Sequence, residues 1–267
     1  MGSTLPAMAI PEPMLSTRAA RWPAQGDWRM EPKWDGFRLL VAIDDRGHIR
    51  AWSRRGASLG DRLGSLLAPL AGAPRGSVFD GELVALSCRD GRVAKDFAAV
   101  RRAVLQGDSA AVSRLHVVAF DLLEFAGDDL RALPWVKRTE LLRDVFPAGE
   151  RLRLVQTQPA SVGAHERLVA LGFEGSVLKR PGSRYRPGRQ ITWRKYKASH
   201  RAIATLRALR QGRDRCGYAI CDLDGRRVTT LGSPRLAALI GRRVELGYSR
   251  IDADGSLREV RITALDV

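Results

Sequence analysis

Lys33 is the first side chain whose type and surroundings could do covalent chemistry. It lies within residues 31–38, which read Glu-Pro-Lys-Trp-Asp-Gly-Phe-Arg, just before an apolar run that predicts a strand. A lysine amine attacks phosphorus only after losing its proton, which neighbouring cations, desolvation or a metal-bound phosphate would favour. Gly36 would let a backbone approach a phosphate closely. These residues indicate a candidate nucleophile, although Lys-x-Asp-Gly alone is more typical of an ion pair in a surface turn.

Two pairs of charged residues have the spacing that puts side chains on one face of a strand. Asp80 and Glu82 end an apolar run, so both could line a pocket. Lys195 and Lys197 would also share a face, where cations can stabilise negative charge that builds in a transition state. Taken alone, a solvated hairpin acid and a basic loop would explain these patterns equally well.

Hydrophobic periodicity predicts the elements that would position these groups. Strand patterns cover 37–43, 78–86 and 115–123, and helical spacing covers 59–70, 97–105, 137–145 and 161–171, with Ser161 at an expected N-cap. Short strand-like segments follow at 202–209, 218–223, 227–231, 243–249 and 259–265, several of them separated by Asp-Gly turns. The sequence therefore predicts an α+β fold, with a mixed α/β domain over 1–198 and a small β-barrel over 199–267.

Charge and composition bound the class of partner. The 267 residues carry a formal net charge of +16, which favours a polyanion such as nucleic acid, although an arginine-biased composition would also look basic. Residues 179–197 hold eight Lys or Arg and no acid, and we expect this run to follow DNA. The sequence shows no signal peptide, membrane span, paired-cysteine spacing or zinc cluster. We expect a monomeric, cytoplasmic protein that does not bind membranes.

Residues 31–38 resemble the nucleotidyl-attachment motif of the covalent nucleotidyltransferases, the superfamily of DNA ligases, RNA ligases and mRNA capping enzymes. The form Glu-x-Lys-Trp-Asp-Gly-x-Arg looks like that of bacterial ATP-dependent DNA ligases in particular. Five further matches follow in the family's order: 53–56 (Ser-Arg-Arg-Gly), 79–83 (Phe-Asp-Gly-Glu-Leu), 118–123 (Val-Ala-Phe-Asp-Leu-Leu), 174–179 (Glu-Gly-Ser-Val-Leu-Lys) and 193–197 (Trp-Arg-Lys-Tyr-Lys).

The resemblance implies a role for each matched position. Lys33 would form the covalent bond to AMP, with Lys195 and Lys197 as catalytic cations at the α-phosphate. Glu82 and Glu174 would support a divalent ion, Mg²⁺ or Mn²⁺. On pattern alone, a strand phenylalanine such as Phe120 is more often core, but the resemblance implies that it stacks on the purine. The complete nucleotide-binding set would comprise Glu31, Arg38, Arg54, Glu82, Phe120, Glu174, Val177, Lys195 and Lys197.

The implied function is ATP-dependent sealing of nicked duplex DNA in repair or recombination. Lys33 would take AMP from ATP, AMP would pass to the 5′-phosphate at the nick, and the 3′-hydroxyl would then displace AMP. An RNA ligase or capping-type nucleotidyltransferase shares the lysine chemistry and stays an alternative. A catalytically weak nucleic-acid-binding module that keeps the fold is an alternative of another class.

The second part of the chain looks like the oligonucleotide-binding (OB) barrel that follows the catalytic domain of ligases. Residues 200–267 contain 13 arginines and 8 acids. The family's basic motif, Arg-x-Asp-Lys, is matched only in part at residues 257–261, which read Leu-Arg-Glu-Val-Arg. Because that motif orients pyrophosphate, the partial match implies slow self-adenylation, with Arg258 and Arg261 as the nearby substitutes.

Overall fold

The computed structural model describes residues 11–19, 22–23, 26–89, 92–198, 200–212, 216–251 and 257–265. The chain divides into two compact units, of which the first ends at Tyr196 and the second begins at Lys197. No helix within these described ranges has both the length and the apolar composition needed to cross a membrane.

The first unit is built on two sheets. One sheet has the strand order β1-β12-β11-β2-β10, and the other has the order β4-β3-β5-β7-β8, with β6 paired to β5 and β9 paired to β7. The strands are β1 (Met14–Arg18), β2 (Arg29–Pro32), β3 (Phe37–Ile43), β4 (Ile49–Ser53), β5 (Ser77–Arg89), β6 (Arg92–Lys95), β7 (Leu115–Phe125), β8 (Asp128–Asp129), β9 (Leu152–Leu154), β10 (Gln158–Pro159), β11 (Gly175–Lys179) and β12 (Gly188–Lys197).

Helices cover the outer faces of both sheets. They are α1 (Gly60–Leu67), α2 (Phe97–Arg101), α3 (Ser109–Val112), α4 (Trp135–Val145) and α5 (Val162–Ala170), together with a 3₁₀ turn (Ala68–Gly72) and a π-helical turn (Arg102–Gln106). The predicted N-cap is confirmed, because Ser161 accepts a hydrogen bond from the Ala164 amide. The helical spacing at 59–70 predicted one helix, but the helix changes to 3₁₀ where Pro69 enters.

Apolar clusters hold these layers together. One cluster lies between the second sheet and α1, α2 and α3, and includes Leu39, Leu63 and Val100. A second lies between the two sheets and contains Met14, Leu40 and Trp193. The third joins the first sheet to α5 through residues such as Met30, Leu168, Leu178 and Tyr196. The first sheet therefore has one face toward the second sheet and the other toward α5.

The second unit contains a curled antiparallel sheet of order β15-β14-β13-β16-β19 and a hairpin of β17 and β18. Thr230 of one edge strand donates a hydrogen bond to the carbonyl of Val260, which precedes the other edge strand. The elements are β13 (His200–Gln211), β14 (Gly217–Leu223), β15 (Arg226–Leu231), a 3₁₀ turn (Pro234–Leu239), β16 (Arg243–Tyr248), β17 (Arg250–Ile251), β18 (Leu257–Arg258) and β19 (Arg261–Leu265). The predicted strand after residue 259 is confirmed from Arg261 onward.

Candidate active site

A cavity of about 510 Å³ opens in the first unit between the two sheets. Its walls combine cationic, acidic and aromatic side chains, which is the composition expected of a site for a charged ligand with an aromatic ring. The predicted site residues that line it are Glu31, Lys33, Arg38, Arg54, Glu82, Phe120, Val177 and Lys195.

Lys33 lies where β2 and β11 come together. Strand β2 ends one residue before it, and its amide donates to the Gly175 carbonyl at 2.9 Å. This backbone link brings the Lys33 ammonium into an ion pair with Glu174. The side chains of Lys33 and Glu174 are 20% and 11% exposed, so the pair is shielded from solvent. Lys33 lines the cavity, whereas Glu174 lies outside its wall and reaches it through this contact. Two motifs that lie 141 residues apart thus meet in one contact.

Gly36 is required by backbone packing, and it also lines the cavity, so the expectation that its backbone approaches a phosphate stays a prediction. A Cβ atom at Gly36 would lie 2.1 Å from the Leu83 carbonyl oxygen, far inside any contact distance. Strand β3 begins at the next residue and pairs with β5, with Phe37 opposite Leu83. The glycine therefore lets the chain after Lys33 run tightly against β5.

Asp80 and Glu82 have different surroundings, so the expectation that both line a pocket is wrong for Asp80. Asp80 is fully buried, pairs with Arg38, and accepts a hydrogen bond from the Tyr185 hydroxyl at 2.6 Å. Glu82 lines the cavity opposite Arg38 in the β3–β5 register. Burial raises the pKa of Glu82 to about 7, against the lowering effects of Arg38 and Lys33.

Glu31 forms a buried ion pair with Lys179 at the inner end of the cavity. The Lys179 ammonium lies 2.7 Å from one oxygen of Glu31, and the two side chains are 1% and 4% exposed. Burial raises the pKa of Glu31 to about 7 and lowers the pKa of Lys179, while the opposite charge of each partner works against these shifts. Lys179 ends the motif at residues 174–179, but it was not predicted as a site residue.

Phe120 is shared between the cavity and the apolar cluster of the two sheets. It is 8% exposed, lines the cavity, and packs edge-on against Trp193 with centroids 6.2 Å apart. The cationic groups of Arg38 and Lys179 each lie 4.5 Å from its ring centroid. Val177 lies on the cavity face of β11, beside Glu31 in the β2–β11 register.

The remaining predicted cations have separate environments. Arg54 is exposed in the turn that follows β4 and lines the cavity together with Arg55. Lys195 lines the cavity from β12. Lys197 is the first residue of the second unit, where it forms an ion pair with Glu259.

Several cavity residues were not predicted as site residues. Trp193 and Phe97 line the cavity, with Phe97 stacked on Phe37 at a centroid distance of 5.3 Å. Strand alternation with Lys195 could have indicated Trp193, because both face the same side of β12. Local pattern gives no comparable signal for Phe97, whose contact with Phe37 joins separate elements.

The acidic residues suit a hard divalent ion that is shared with substrate. Glu82 and Glu174 supply carboxylates near Lys33, whereas the described residues contain no group of three or more His, Cys, Asp or Glu side chains that could enclose a metal. An ion such as Mg²⁺ keeps water and substrate phosphates as ligands and needs only one or two carboxylates. The two glutamates therefore fit an open magnesium site.

The sheets and the lysine cavity define a nucleotidyltransferase-type domain, and comparison with known proteins identifies its family. A family model described as an ATP dependent DNA ligase domain matches residues 13–197. This chain belongs to the family of ATP-dependent DNA ligase domains.

Individual relatives agree with this assignment. The multifunctional non-homologous end joining protein LigD of Pseudomonas aeruginosa is 34% identical over 183 residues, which cover 67% of this chain and 21% of that protein. A DNA ligase of Haloferax volcanii is 35% identical over 198 residues, covering 69% of this chain and 33% of that protein. The chain thus spans about a fifth and a third of the lengths of these two relatives.

Solved structures share the fold over nearly the whole chain. The ligase domain of LigD from M. tuberculosis is 25% identical, with a TM-score of 0.58, and the match covers 95% of this chain and 94% of that one. A structure from a study of Lig E DNA ligases, titled DNA binding with a minimal scaffold, has a TM-score of 0.70 at 16% identity. It matches over 96% of this chain and 100% of that one.

Proposed function

We propose that this chain is an ATP-dependent DNA ligase that seals nicks in duplex DNA through a lysyl-AMP formed at Lys33, in DNA repair or recombination. The observation that carries the proposal is the position of the Lys33 amine. This amine contacts Glu174 and lies on the wall of a cavity of about 510 Å³, which is large enough for a nucleotide. We further propose that the protein acts as a cytoplasmic monomer.

The first step joins the Lys33 nitrogen to the α-phosphorus of ATP and breaks the bond to pyrophosphate. Before the nitrogen attacks, the Lys33 ammonium passes its proton to solvent by way of Glu174, the carboxylate that contacts it. A divalent ion held by Glu82 and Glu174 would supply positive charge to the phosphate oxygens. Lys195 and Arg38 add fixed positive charge on the cavity wall, which suits the negative charge that spreads over these oxygens.

The buried pair of Glu31 and Lys179 can select adenine. Glu31 offers a carboxylate that accepts from an exocyclic amino group, and Lys179 offers an ammonium that donates to a ring nitrogen. Adenine presents an amino group beside an acceptor nitrogen, whereas guanine presents an acceptor oxygen beside an N–H. With Phe120 and Val177 on the purine faces, the pair would favour ATP over GTP in a pose where Glu31 faces the exocyclic group and Lys179 faces the ring nitrogen. The reverse pose would fit guanine, so the comparison of ATP with GTP decides between them.

Arg54 and Lys197 complete the proposed phosphate-binding set. Arg54 would contact the nucleotide and the 5′-phosphate of the nick, since its exposed guanidinium reaches the cavity from the turn after β4. Lys197 would act at the α-phosphate with Lys195. This assignment rests on its motif spacing, since its ammonium forms an ion pair with Glu259.

The second unit is proposed to be an OB-fold barrel, with the domain boundary near residues 198–199. Its antiparallel sheet is curled, and the bond from Thr230 to Val260 links the regions of its two edge strands. Its arginine excess suits contact with a DNA backbone.

The test of the proposal follows transfer of label from α-labelled ATP to the protein. Lys33→Ala should abolish the adduct because the nucleophile is gone, and Lys33→Arg should also fail because a guanidinium stays protonated. Lys137→Ala, which removes an exposed lysine of α4, is the matched control and should keep full labelling. Labelled adduct in either Lys33 variant would overturn the assignment.

Substrate arms of the same experiment separate the alternatives. Transfer from ATP but not GTP, followed by sealing of nicked DNA in preference to nicked RNA, supports the DNA ligase. Preference for GTP or for RNA would indicate a capping enzyme or an RNA ligase. Tight binding to nicked duplex without any covalent nucleotide would indicate a binding module.

A further inference from the structure

Two arginines stack on one tryptophan on the face of the first sheet that is turned away from the cavity. Along β12, Trp193 and Lys195 line the cavity, so the alternate residues Arg194 and Tyr196 face α5. Trp28 belongs to the same cluster as Tyr196. The guanidinium carbons of Arg180 and Arg194 lie 4.7 and 5.0 Å from the ring centroid of Trp28.

The basic run at 179–197 is therefore split between the two sides of the sheet. Lys179 is buried and Lys195 lines the cavity, whereas Arg180 and Arg194 lie on the α5 side. The expectation that this run follows DNA stays a prediction, but its charges do not lie on one surface. Its charges can serve two separate sites.

Arg180 and Arg194 are two like charges held together without a carboxylate partner among the described residues. The nearby Asp27 pairs with Arg29 at 3.7 Å. Contact with the Trp28 ring restrains both guanidinium groups. The Arg194 Nε donates to the Ile191 carbonyl at 3.3 Å, and Arg194 also lies within hydrogen-bonding reach of the Tyr196 hydroxyl. The remaining N–H groups can contact other partners. Preorganised arginine edges match the oxygens of a phosphate in a bidentate manner.

The Tyr196 hydroxyl is a third polar group at this place. Tyr196 is 8% exposed, and its buried hydroxyl lies within hydrogen-bonding reach of the Arg194 guanidinium. Arg194 is close enough for its charge to oppose the burial that raises the pKa of Tyr196.

We infer that Arg180 and Arg194, both of which lie over the ring of Trp28, bind phosphodiester groups of duplex DNA on the sheet face opposite the nucleotide cavity. The recognised chemistry is the sugar–phosphate backbone, so binding here is independent of sequence. This site goes beyond the proposed function, because DNA bound here lies on the other side of the sheet from Lys33 and Lys195.

The test measures how the affinity of the full chain for a fluorescein-labelled intact duplex changes with salt. A plot of log affinity against log salt has a negative slope, and the double variant Arg180→Gln with Arg194→Gln should make that slope shallower by about two. Its affinity at low salt should fall about tenfold or more. Arg46→Gln with Arg143→Gln removes the same charge from exposed positions elsewhere in the first unit and is the matched control. Equal slopes for the two double variants would overturn the inference.

Two further measurements keep the outcomes distinguishable. Arg180→Lys with Arg194→Lys keeps both charges, so it should retain the salt slope while losing affinity because the bidentate edges are gone. Unchanged affinity in this variant would contradict a stacked-arginine site. Lysine adenylation from labelled ATP is measured in parallel. Its absence in the wild type would defeat the proposed ligase function, whereas normal adenylation with equal slopes would defeat only the DNA site.

Discussion

Phe120 belongs both to the cavity wall and to the cluster between the sheets, and comparing two substitutions can separate these roles. Phe120→Ala should weaken ATP capture by about 1–3 kcal/mol if the ring stacks on the purine. Removing a buried ring also costs about 3–5 kcal/mol of folding free energy. Phe120→Leu keeps apolar volume without an aromatic face, so it isolates stacking. An unchanged ATP dependence in a variant that stays folded by its melting midpoint would contradict stacking.

Glu82 carries a prediction about pH. Burial raises its pKa from 4.5 to about 7, so the fold favours the protonated carboxyl and the stability from this group falls as pH rises toward 7. Metal binding needs the ionised carboxylate, so the affinity for Mg²⁺ should rise with pH over the same range in which the stability from this group falls. The apparent Mg²⁺ affinity in the adenylation assay should rise about tenfold per pH unit below pH 7 and level off above it.

The control for this pH dependence is Glu31, whose carboxyl also has a pKa raised to about 7 by burial. Because Glu31 pairs with Lys179 at the proposed base-binding end, Glu31→Gln should keep the pH dependence of Mg²⁺ affinity. Glu82→Gln should remove it. A Mg²⁺ affinity that does not change between about pH 6 and 8 in the wild type would refute the metal assignment.

The junction between Lys33 and β3 depends on Gly36 at the scale of elements. Gly36→Ala would place a Cβ against the Leu83 carbonyl, so we expect a loss of about 1–3 kcal/mol of stability and a displaced Lys33 with slower adenylation. Gly64→Ala in α1 meets no neighbour within 4 Å and should be stabilising by about 0.5–1 kcal/mol. Melting midpoints and labelling rates check both. Equal melting midpoints and labelling rates in the two variants would contradict this prediction, because they would mean that β5 moves to accommodate the added Cβ at little cost.

Elements with a strong local period could be predicted, whereas contacts between distant segments could not. Strand β3 was predicted at its observed bounds, because residues 37–43 are apolar apart from Arg38 and are bounded by Gly and Asp. Strand β1 mixes polar and apolar residues, and its pairing with β12 joins Met14 to Gly188. The pair of Glu31 and Lys179 depends on the β2–β11 register, which no local pattern contains.

The candidate site shows the same division. Family motifs predicted residues that the fold brings together, such as Lys33 and Glu174. They did not predict that Asp80 would be buried beneath Arg38, because strand alternation cannot show that Tyr185 and Arg38 cover that carboxylate. Arg138, fully buried and bound to Asp121 at 2.7 Å, anchors the strand of Phe120. This ion pair forms only in the folded protein. In the sequence, Arg138 is one charged residue among many, with no local pattern that indicates its buried partner.

At the scale of the whole molecule, the partial basic motif of residues 257–261 becomes part of the second unit's own structure. The Val260 carbonyl accepts the hydrogen bond from Thr230, and its side chain packs against the apolar cluster of that unit. Glu259 has a positive φ of 51° and pairs with Lys197. The side chain of Arg258 lies outside the described part of the chain. A phosphate that uses Lys197 therefore competes with the Glu259 carboxylate.

This competition and the only partial basic motif at residues 257–261 should slow lysine adenylation more than nick sealing. Pyrophosphate is present only in the first step, whereas a pre-adenylated nick already carries AMP. We expect the single-turnover rate of sealing pre-adenylated nicks to exceed the rate of adenylation in Mg²⁺ and Mn²⁺.

Arg258→Ala should slow adenylation further, and Glu259→Gln should speed it by freeing Lys197 from a charged competitor. Glu245→Gln, which removes the partner of Arg201 in the same unit, is the matched control. Fast wild-type adenylation that neither Arg258→Ala nor Glu259→Gln alters would show that this segment places no limit on the first step.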